Sequence, residues 1–565
     1  MRFKILFFIP LLFLSFLSIS QSFDWAKAIS DYTGCESRSV ATDIQGSVYS
    51  TGFFKGTVDF DPDTSVYNLV GGTGSNIYVS KLDSLGNFVW AKKFISPGAL
   101  HSGVGHSIKT DRYGNVYFTG YFEDGVDFDP GPGSFIINTN SYEHSFICKL
   151  DSNGDFIWAK AFEGPLRSAG IAMQIDSGGN VYTVGSFSDS TDFDPGPLTY
   201  YLSGSGVGNS YVSKLNTNGG FVWAKRYQGT GVLSSITLDR KSNIYTAGHF
   251  IQTMVLDPGG ANLILNSNGL NDGYITKLNP SGNLIWANSF GGIGHDYCNT
   301  IDTDTSSKLL VTGDFDSIVD FDPSTSTFNL TSSGDRDAFV LKLDTNCGFV
   351  WAKSFKGSGR KYISSLTTDG LTNIYIVGAF DDTVDFDPSM ATYDLHSSGL
   401  NDIFITKLDP LGRLIWAKKI GGKLVDRPSS ICIFPPSSFY ITGVFSDTVD
   451  FDYGPPVNNL ICHNSYFFNT FFLKLRTREF VSIEENSLSV AKVYPNPTSD
   501  GIVNIELEEN LTSNIKIISV TGKTVYLGRL SSGYSRIDLS HLSSGMYYLV
   551  FDNKDIAGRK IIINN

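Results

Sequence analysis

The stretch Phe88-Val89-Trp90-Ala91-Lys92 is one of seven copies of the same phrase, and its recurrence decides the fold. Trp25, Trp90, Trp158, Trp223, Trp286, Trp351 and Trp416 are the only tryptophans in the 565-residue chain. Each opens Trp-Ala-Lys, except that Asn288 replaces lysine in the fifth copy. The intervals are 65, 68, 65, 63, 65 and 65 residues, so the chain is an array of one unit. A unit of this length exceeds a solenoid rung and suits a four-stranded propeller blade carrying an insertion.

Alignment on the tryptophans exposes four strand-like segments per unit. One runs up to the Trp. A second alternates, as in Ser39-Val40-Ala41-Thr42-Asp43-Ile44; a third is aromatic and ends in glycine, as in Val116-Tyr117-Phe118-Thr119-Gly120. That glycine recurs at 52, 120, 185, 248, 313, 378 and 443. The fourth ends in Lys-Leu, as at Lys81-Leu82 and Lys474-Leu475. Short runs rich in Val, Ile, Tyr and Phe are strands, and no long window shows a helical period. Connections such as Asp83-Ser84-Leu85-Gly86-Asn87 have hairpin chemistry, with Asp bonding locally and Gly tolerating positive φ. The chain begins with a Trp strand and its last repeat lacks one. Residues 23–27 therefore should complete the blade begun by residues 430–475, with Phe480-Val481 as a weaker competitor, because closing the ring removes exposed strand edges. The expected fold is all-β, a seven-bladed β-propeller over about 21–482 closed by an N-terminal strand. The units resemble the SBBP β-propeller repeat family through Gly-Asn-Val-Tyr-Phe-Thr-Gly (114–120), Phe-Ile-Cys-Lys-Leu-Asp (146–151) and the Trp strand. That resemblance implies a bacterial secreted protein and no particular activity.

An acidic loop follows the glycine strand. Its Asp-x-Asp pairs are Asp59/Asp61, Asp127/Asp129, Asp192/Asp194, Asp320/Asp322, Asp385/Asp387 and Asp450/Asp452, while the fourth copy retains only Asp257. In an extended segment the two carboxylates share a face and the Phe between them points the other way. Two readings stand side by side. These twelve aspartates could hold Ca²⁺, which takes six to eight oxygens; or the Phe anchors the loop while the carboxylates cap turns. The repeated Trp likewise reads either as a sugar platform or as packing between blades, and the packing reading is favoured. The lysine two residues on should lie along the same face with its head in water.

Formal net charge is −13 with no basic cluster, which argues against nucleic acid and for cations or cation-bridged surfaces. Six cysteines fall at unequal places in the repeat and read as buried thiols, leaving Cys432 with Cys462 as the one open pairing. No catalytic set and no zinc spacing can be assembled. His295-Asp296 is the one local irregularity.

The first twenty residues read as a signal peptide. Arg2 and Lys4 precede an apolar run from Ile5 to Leu17, and cleavage is expected after Ser20. Past a polar joint, 483–490, the period stops, and short alternating strands over 491–565 make a small β-sandwich. This stretch resembles the type A C-terminal sorting domain of the type IX secretion system. The resemblance rests on Tyr494-Pro495-Asn496-Pro497, the turn at Gly522, the block from Gly545 through Tyr547, and Lys560 before an apolar strand. It implies a Bacteroidetes-type organism, engagement of the type IX machinery as partner, and release or attachment outside the outer membrane, with no transmembrane segment after signal cleavage. The function expected is a secreted or cell-surface binding or adhesion protein, not an enzyme, whose ligand is a glycan or a protein. The alternative is an extracellular hydrolase or lyase working in the central cleft.

Overall fold

The computed structural model describes residues 21–477, apart from 30–32, 73, 96–102, 140–141, 205–207, 257–259, 261, 436–437, 455 and 463–467. It also describes 491–563, apart from 497, 499, 520–523 and 553–558. The signal peptide with Ser20, the joint at 483–490, Phe480-Val481, Asp257, Pro497 and Gly522 lie outside the described residues. The chain divides into two compact units, Gln21–Thr477 and a second containing Arg478–Asn565.

Among the described residues of the first unit, the strands group into seven four-stranded antiparallel sets. The first pairs Cys35–Thr42, Val48–Phe54, Asn76–Leu82 and Phe88–Phe94 in chain order. The same order repeats along the chain. One long run, Phe221–Leu238, supplies the outer strand of the third set and then the inner strand of the fourth. The seventh set is Arg427–Phe434, Ser438–Phe445 and Asn469–Thr477, and its outer strand is Gln21–Ile29. Gln21 pairs with Thr477 and Ile29 with Thr470, so the two ends of the unit are clasped in one sheet. Inner strands from all seven sets line one central channel. This is a propeller.

The recurrent glycine of the second strand has a steric cause. In each first strand two residues oppose one on the second, a bulge such as that between Ser37 and Ser39. The bulge pushes a first-strand carbonyl into the glycine. A Cβ on Gly52 would lie 1.9 Å from the oxygen of Glu36, and one on Gly120 would lie 1.9 Å from that of Val104.

Six of the seven tryptophans donate to a hairpin carbonyl of the next blade. Trp25 Nε1 donates to Ser84 O at 3.3 Å, Trp90 to Ser152 O at 3.4 Å and Trp158 to Thr217 O at 3.1 Å. Trp223, Trp286 and Trp351 do the same to Pro280, Thr345 and Pro410 at 3.2, 3.3 and 3.3 Å. The packing reading of the tryptophans is therefore the one the geometry supports, with the indole N–H met by the neighbouring blade's hairpin and not within its own. The lysine of Lys-Leu donates to the same carbonyl in four joints: Lys81 to Ser152 O at 3.2 Å, Lys277 to Thr345 O at 2.8 Å, Lys342 to Pro410 O at 3.3 Å and Lys474 to Ser84 O at 2.6 Å. The Trp-Ala-Lys lysines are not simply solvated: Lys27 pairs with Asp63, and Lys92 lies 3.8 Å from Asp155.

In five of these six joints the hairpin turn that receives the indole carries a glycine at positive φ, as at Gly154 (φ 80°), and in the Trp286 joint Cys347 (φ 67°) takes that place. A Cβ there would sit 3.2 Å from the Trp90 ring and 2.8 Å from Lys92 Cε. Gly260 has φ 82°, but a Cβ there would meet no other described residue within 4 Å. Gly154→Ala is therefore expected to carry both the left-handed backbone cost of about 1–2 kcal/mol and a clash, and Gly260→Ala the backbone cost alone. Thermal unfolding should show the larger fall in midpoint for Gly154→Ala; equal falls would mean that the turn does not bear on the indole.

In the second unit, Ile502–Ser519 and Thr524–Asp538 pair along their length with a shift between Leu507 and Thr512. The half at 502–507 takes Ala491–Tyr494 as its other neighbour, and the half at 515–519 takes Gly545–Phe551. Val503, Ile505, Leu507, Ile515, Ile517, Leu549, Ile561 and Ile563 from both halves form one buried cluster. That is a small two-layered β-domain.

Candidate functional site

The acidic loops close on themselves. Asp127 Oδ1 accepts the backbone N–H of Asp129 at 3.0 Å and of Phe135 at 2.8 Å, and Asp129 Oδ1 accepts that of Gly131 at 2.8 Å. The same bonds recur from Asp59 to Asp61 and Tyr67, from Asp192 to Asp194 and Tyr200, and from Asp320 to Asp322 and Phe328. They recur again from Asp385 to Asp387 and Tyr393, and from Asp450 to Asp452 and Asn458. The intervening Phe60, Phe128, Phe193, Phe321, Phe386 and Phe451 are buried. This is the turn-capping reading: one carboxylate oxygen organises a loop whose apolar residue is its anchor. Among the described residues no three His, Cys, Asp or Glu side chains converge as metal ligands. Asp127→Asn keeps an acceptor and should leave the unfolding midpoint near the parent's. Asp127→Ala orphans two N–H groups and should cost about 1–3 kcal/mol in urea unfolding. Equal losses from both would show that the charge, and not the acceptor, is what the loop needs.

Capping each loop is a short hairpin that the sequence registered only as an insertion, such as Val126–Asp127 with Ile136–Ile137. Its aromatic stacks on the outer strand: Tyr67 on Phe88 at 4.7 Å between ring centroids, Phe135 on Phe156 at 4.9 Å and Tyr200 on Phe221 at 4.9 Å. Between one blade's hairpin and the next blade's acidic loop lies a cleft. Lys27, Asp61, Pro62 and Asn458–Ile461 line one of about 540 Å³. Ile137, Lys160, Asp194, Pro195 and Leu198 line its counterpart of about 270 Å³. Both place a lysine opposite an Asp-Pro corner, beside exposed apolar side chains such as Leu198 and Ile461.

The channel is a second concavity, of about 350 Å³. Ser and Thr are its most frequent lining residues, with Arg38, His106, Lys109, Asp302 and Cys432 as its charged or titratable members. His106 Nδ1 faces Gly170 O at 2.9 Å, and burial holds the imidazole below its usual range. Asp302 Oδ1 accepts from Thr237 Oγ1 at 3.1 Å and from Thr303 N at 2.8 Å, while burial raises its carboxyl.

All six cysteines are free, so the pairing of Cys432 with Cys462 is not formed; Cys432 lines the channel while Cys462 packs beneath the seventh acidic loop. Of the pair His295-Asp296, the aspartate has an equivalent in another blade. Asp296 is 2% exposed and burial pushes its carboxyl up to about 6; Asp426 is its counterpart one hundred and thirty residues on and is pushed likewise to about 6. Stability from their neutral forms is present below the ordinary carboxylate range and is lost as pH rises through about 6. The sequence reading passed over their neighbours Asp272 and Asp402, which the repeat alignment could have shown.

In the second unit the signature residues hold the ends of the domain together. Tyr494 pairs with Asn504, and Pro495 leads into Asn496, whose Oδ1 accepts the N–H of Ile562 at 2.8 Å. Gly545 pairs with Ile563 and Lys560 with Tyr548, while Tyr547 is buried and donates its hydroxyl to Ser543 O at 2.9 Å. Residues 492–564 match the family described as "Secretion system C-terminal sorting domain". The second unit is a type IX sorting domain. It directs the chain through the type IX machinery to the cell surface or the extracellular space. Among the described residues no helix is long and apolar enough to cross a membrane.

The chain is also similar to an uncharacterised WD repeat-containing protein of Acanthamoeba polyphaga mimivirus, 23% identical over 442 residues, covering 64% of this chain but 31% of that protein. Among solved structures it is similar to PorZ, a surface component of the Porphyromonas gingivalis type IX secretion system. That match has 9% identity and a TM-score of 0.22 over 95% of this chain and 100% of that one. It is also similar to the dihydro-heme d1 dehydrogenase NirN, with 13% identity and a TM-score of 0.32 over 82% and 73%. Scores of this size carry no argument about function, and the propeller assignment rests on the strand pairing above.

Proposed function

We propose that the first unit is a binding module, built from SBBP-type repeats and displayed outside the cell, that engages a glycan or a protein along the rim of the propeller. The observation that carries this reading is the recurrence of one cleft at two interblade positions, each with a lysine, an Asp-Pro corner and exposed apolar side chains. Repeated equivalent clefts suit multivalent contact, in which weak sites combine through effective concentration. Mixed polar and apolar walls suit a ligand with both hydroxyl and carbon faces.

The test is a glycan array probed with the full chain in calcium and again in EDTA, alongside Lys27→Ala, Lys160→Ala and the channel variant Asp302→Ala. Binding to a defined set of glycans that falls at least about tenfold in the lysine variants, roughly 1.4 kcal/mol, and survives Asp302→Ala is expected. Binding or turnover that depends on Asp302 and ignores both lysines would move the function into the channel and overturn the reading. Silence on the array directs the same variants to a capture experiment with outer-surface proteins, where loss in the lysine variants is again the expected result.

A further inference from the structure

Six of the seven joints between blades are crossed by the same backbone bond. Gly103 N donates to Ser75 O at 3.0 Å, Ser168 N to Glu143 O at 2.8 Å, Asp296 N to Asn271 O at 2.7 Å and Asp426 N to Asn401 O at 2.9 Å. Two residues meet across each joint at that register, and the Asp337–Lys361 ion pair marks it between the fifth and sixth blades. At four joints the pair is uncharged or contains a histidine: Asn76 with Gly103, His144 with Ser168, Asn209 with Gly231, and Asn469 with Cys35. The other three carry charge: Asp272 with Asp296, Asp337 with Lys361, and Asp402 with Asp426.

The middle one of these three is complete. Lys361 Nζ lies 2.5 Å from Asp337 Oδ1, both side chains are fully buried, and the ammonium also donates to Gly357 O at 2.9 Å and Gly359 O at 3.0 Å. A single positive charge is thus held by one carboxylate and two carbonyls. One blade earlier the lysine is replaced by Asp296. Asp272 is fully buried there; its Oδ2 accepts the N–H of Asn268 at 3.0 Å, and its Oδ1 has no hydrogen-bond partner among the described residues. Asp296 accepts N–H bonds from Gly292 at 2.7 Å and from Asp316 at 3.0 Å. The further charge acting on Asp296 is Asp316, of the same sign. No lysine or arginine among the described residues pairs with either carboxylate. At the third joint Lys419 lies 3.4 Å from Asp402, which partly compensates that pair. Two buried carboxylates without a cation are costly, because neither can be ionised beside the other in a medium of low dielectric.

We propose that a calcium ion occupies the Asp272/Asp296 joint, where the Lys361 ammonium sits one blade further on. Calcium takes carboxylate and backbone carbonyl oxygens in irregular numbers. Gly292 and Gly294 stand at the register of Gly357 and Gly359, whose carbonyls hold the ammonium in the neighbouring joint. The orphaned Asp272 Oδ1 supplies an anionic ligand for the ion, and export of the chain places the joint where extracellular calcium is available.

The test uses the full chain, stripped with EDTA and dialysed, with thermal unfolding followed in calcium and in magnesium. Calcium in the millimolar range is expected to raise the midpoint by about 2–4 °C, the shift for a site of extracellular affinity. Asp272→Asn, which places an amide donor at the orphaned oxygen, should abolish the rise. Asp296→Lys, which rebuilds the neighbouring joint, should abolish it too, with a midpoint in EDTA above the parent's. Asp402→Asn should retain it. A parent indifferent to calcium, or a rise that survives Asp272→Asn, overturns the proposal. Should the variants fail to fold, anomalous scattering from lanthanide-soaked crystals of the parent reads the same point: a peak between Asp272 and Asp296 supports the ion, and peaks only elsewhere overturn it.

Discussion

The structure of the first unit depends on one joint, repeated around a ring: an indole on the outer strand of one blade, resting on the hairpin turn of the next. The indole N–H and, in four joints, a lysine ammonium converge on the same turn carbonyl. Such bonds contribute about 1 kcal/mol each when neutral and more when one partner is charged. Burial of a Trp face on a turn glycine adds area that no smaller side chain would cover. The turn glycine is constrained twice over, by its positive φ and by the ring above it. The one side chain found at that place is small: in the Trp286 joint Cys347 stands there, and Asn288, in place of the usual lysine, donates to its Sγ at 3.0 Å.

From the joint follows the need for closure. Without closure the row leaves a loose Trp strand at its N-terminal end and an open sheet edge on its last blade, and both liabilities vanish when the ends meet. Gln21–Ile29 supplies the outer strand of the seventh set and brings Trp25 onto Ser84 O in the first. The N-terminal strand therefore works as a clasp in two directions, completing one blade and latching to another. A ring held by like joints places few demands on the rim. Its loops can then vary, and the clefts beside the acidic loops are where variation reaches solvent.

Much of this was legible in the sequence because the repeat exposes it. Seven tryptophans at a near-constant interval gave the unit, the glycine at 52 and its equivalents marked the second strand, and the leading Trp strand implied the clasp. The acidic loop was legible only as two alternatives, since an Asp-x-Asp pair has the same spacing whether it binds calcium or caps its own loop. Backbone N–H groups such as those of Asp129 and Phe135 decide the geometry, and they have no signature in side-chain identity. Hidden for a different reason was the destination of the indole N–H, a carbonyl 59 residues away from Trp158 in the next blade. The pairing of Asp272 with Asp296 left no periodic signal because the residues at these two positions vary from blade to blade. In the second unit the reverse held. A dense signature identified the sorting domain directly, and its physical content, Asn496 holding the last strand through Ile562, emerged only from the fold.

The account is tested most directly by native-state hydrogen exchange of the segment 21–29 in the full chain. If this segment is the outer strand that closes the ring, its hydrogen-bonded amides should exchange as slowly as those of Asn469–Thr477, with which it pairs. A Trp25→Ala change should speed both together, because the clasp and the latch act as one cooperative unit. Exchange of 21–29 at the rate of an unstructured peptide, while 469–477 stays protected, would contradict closure by this strand.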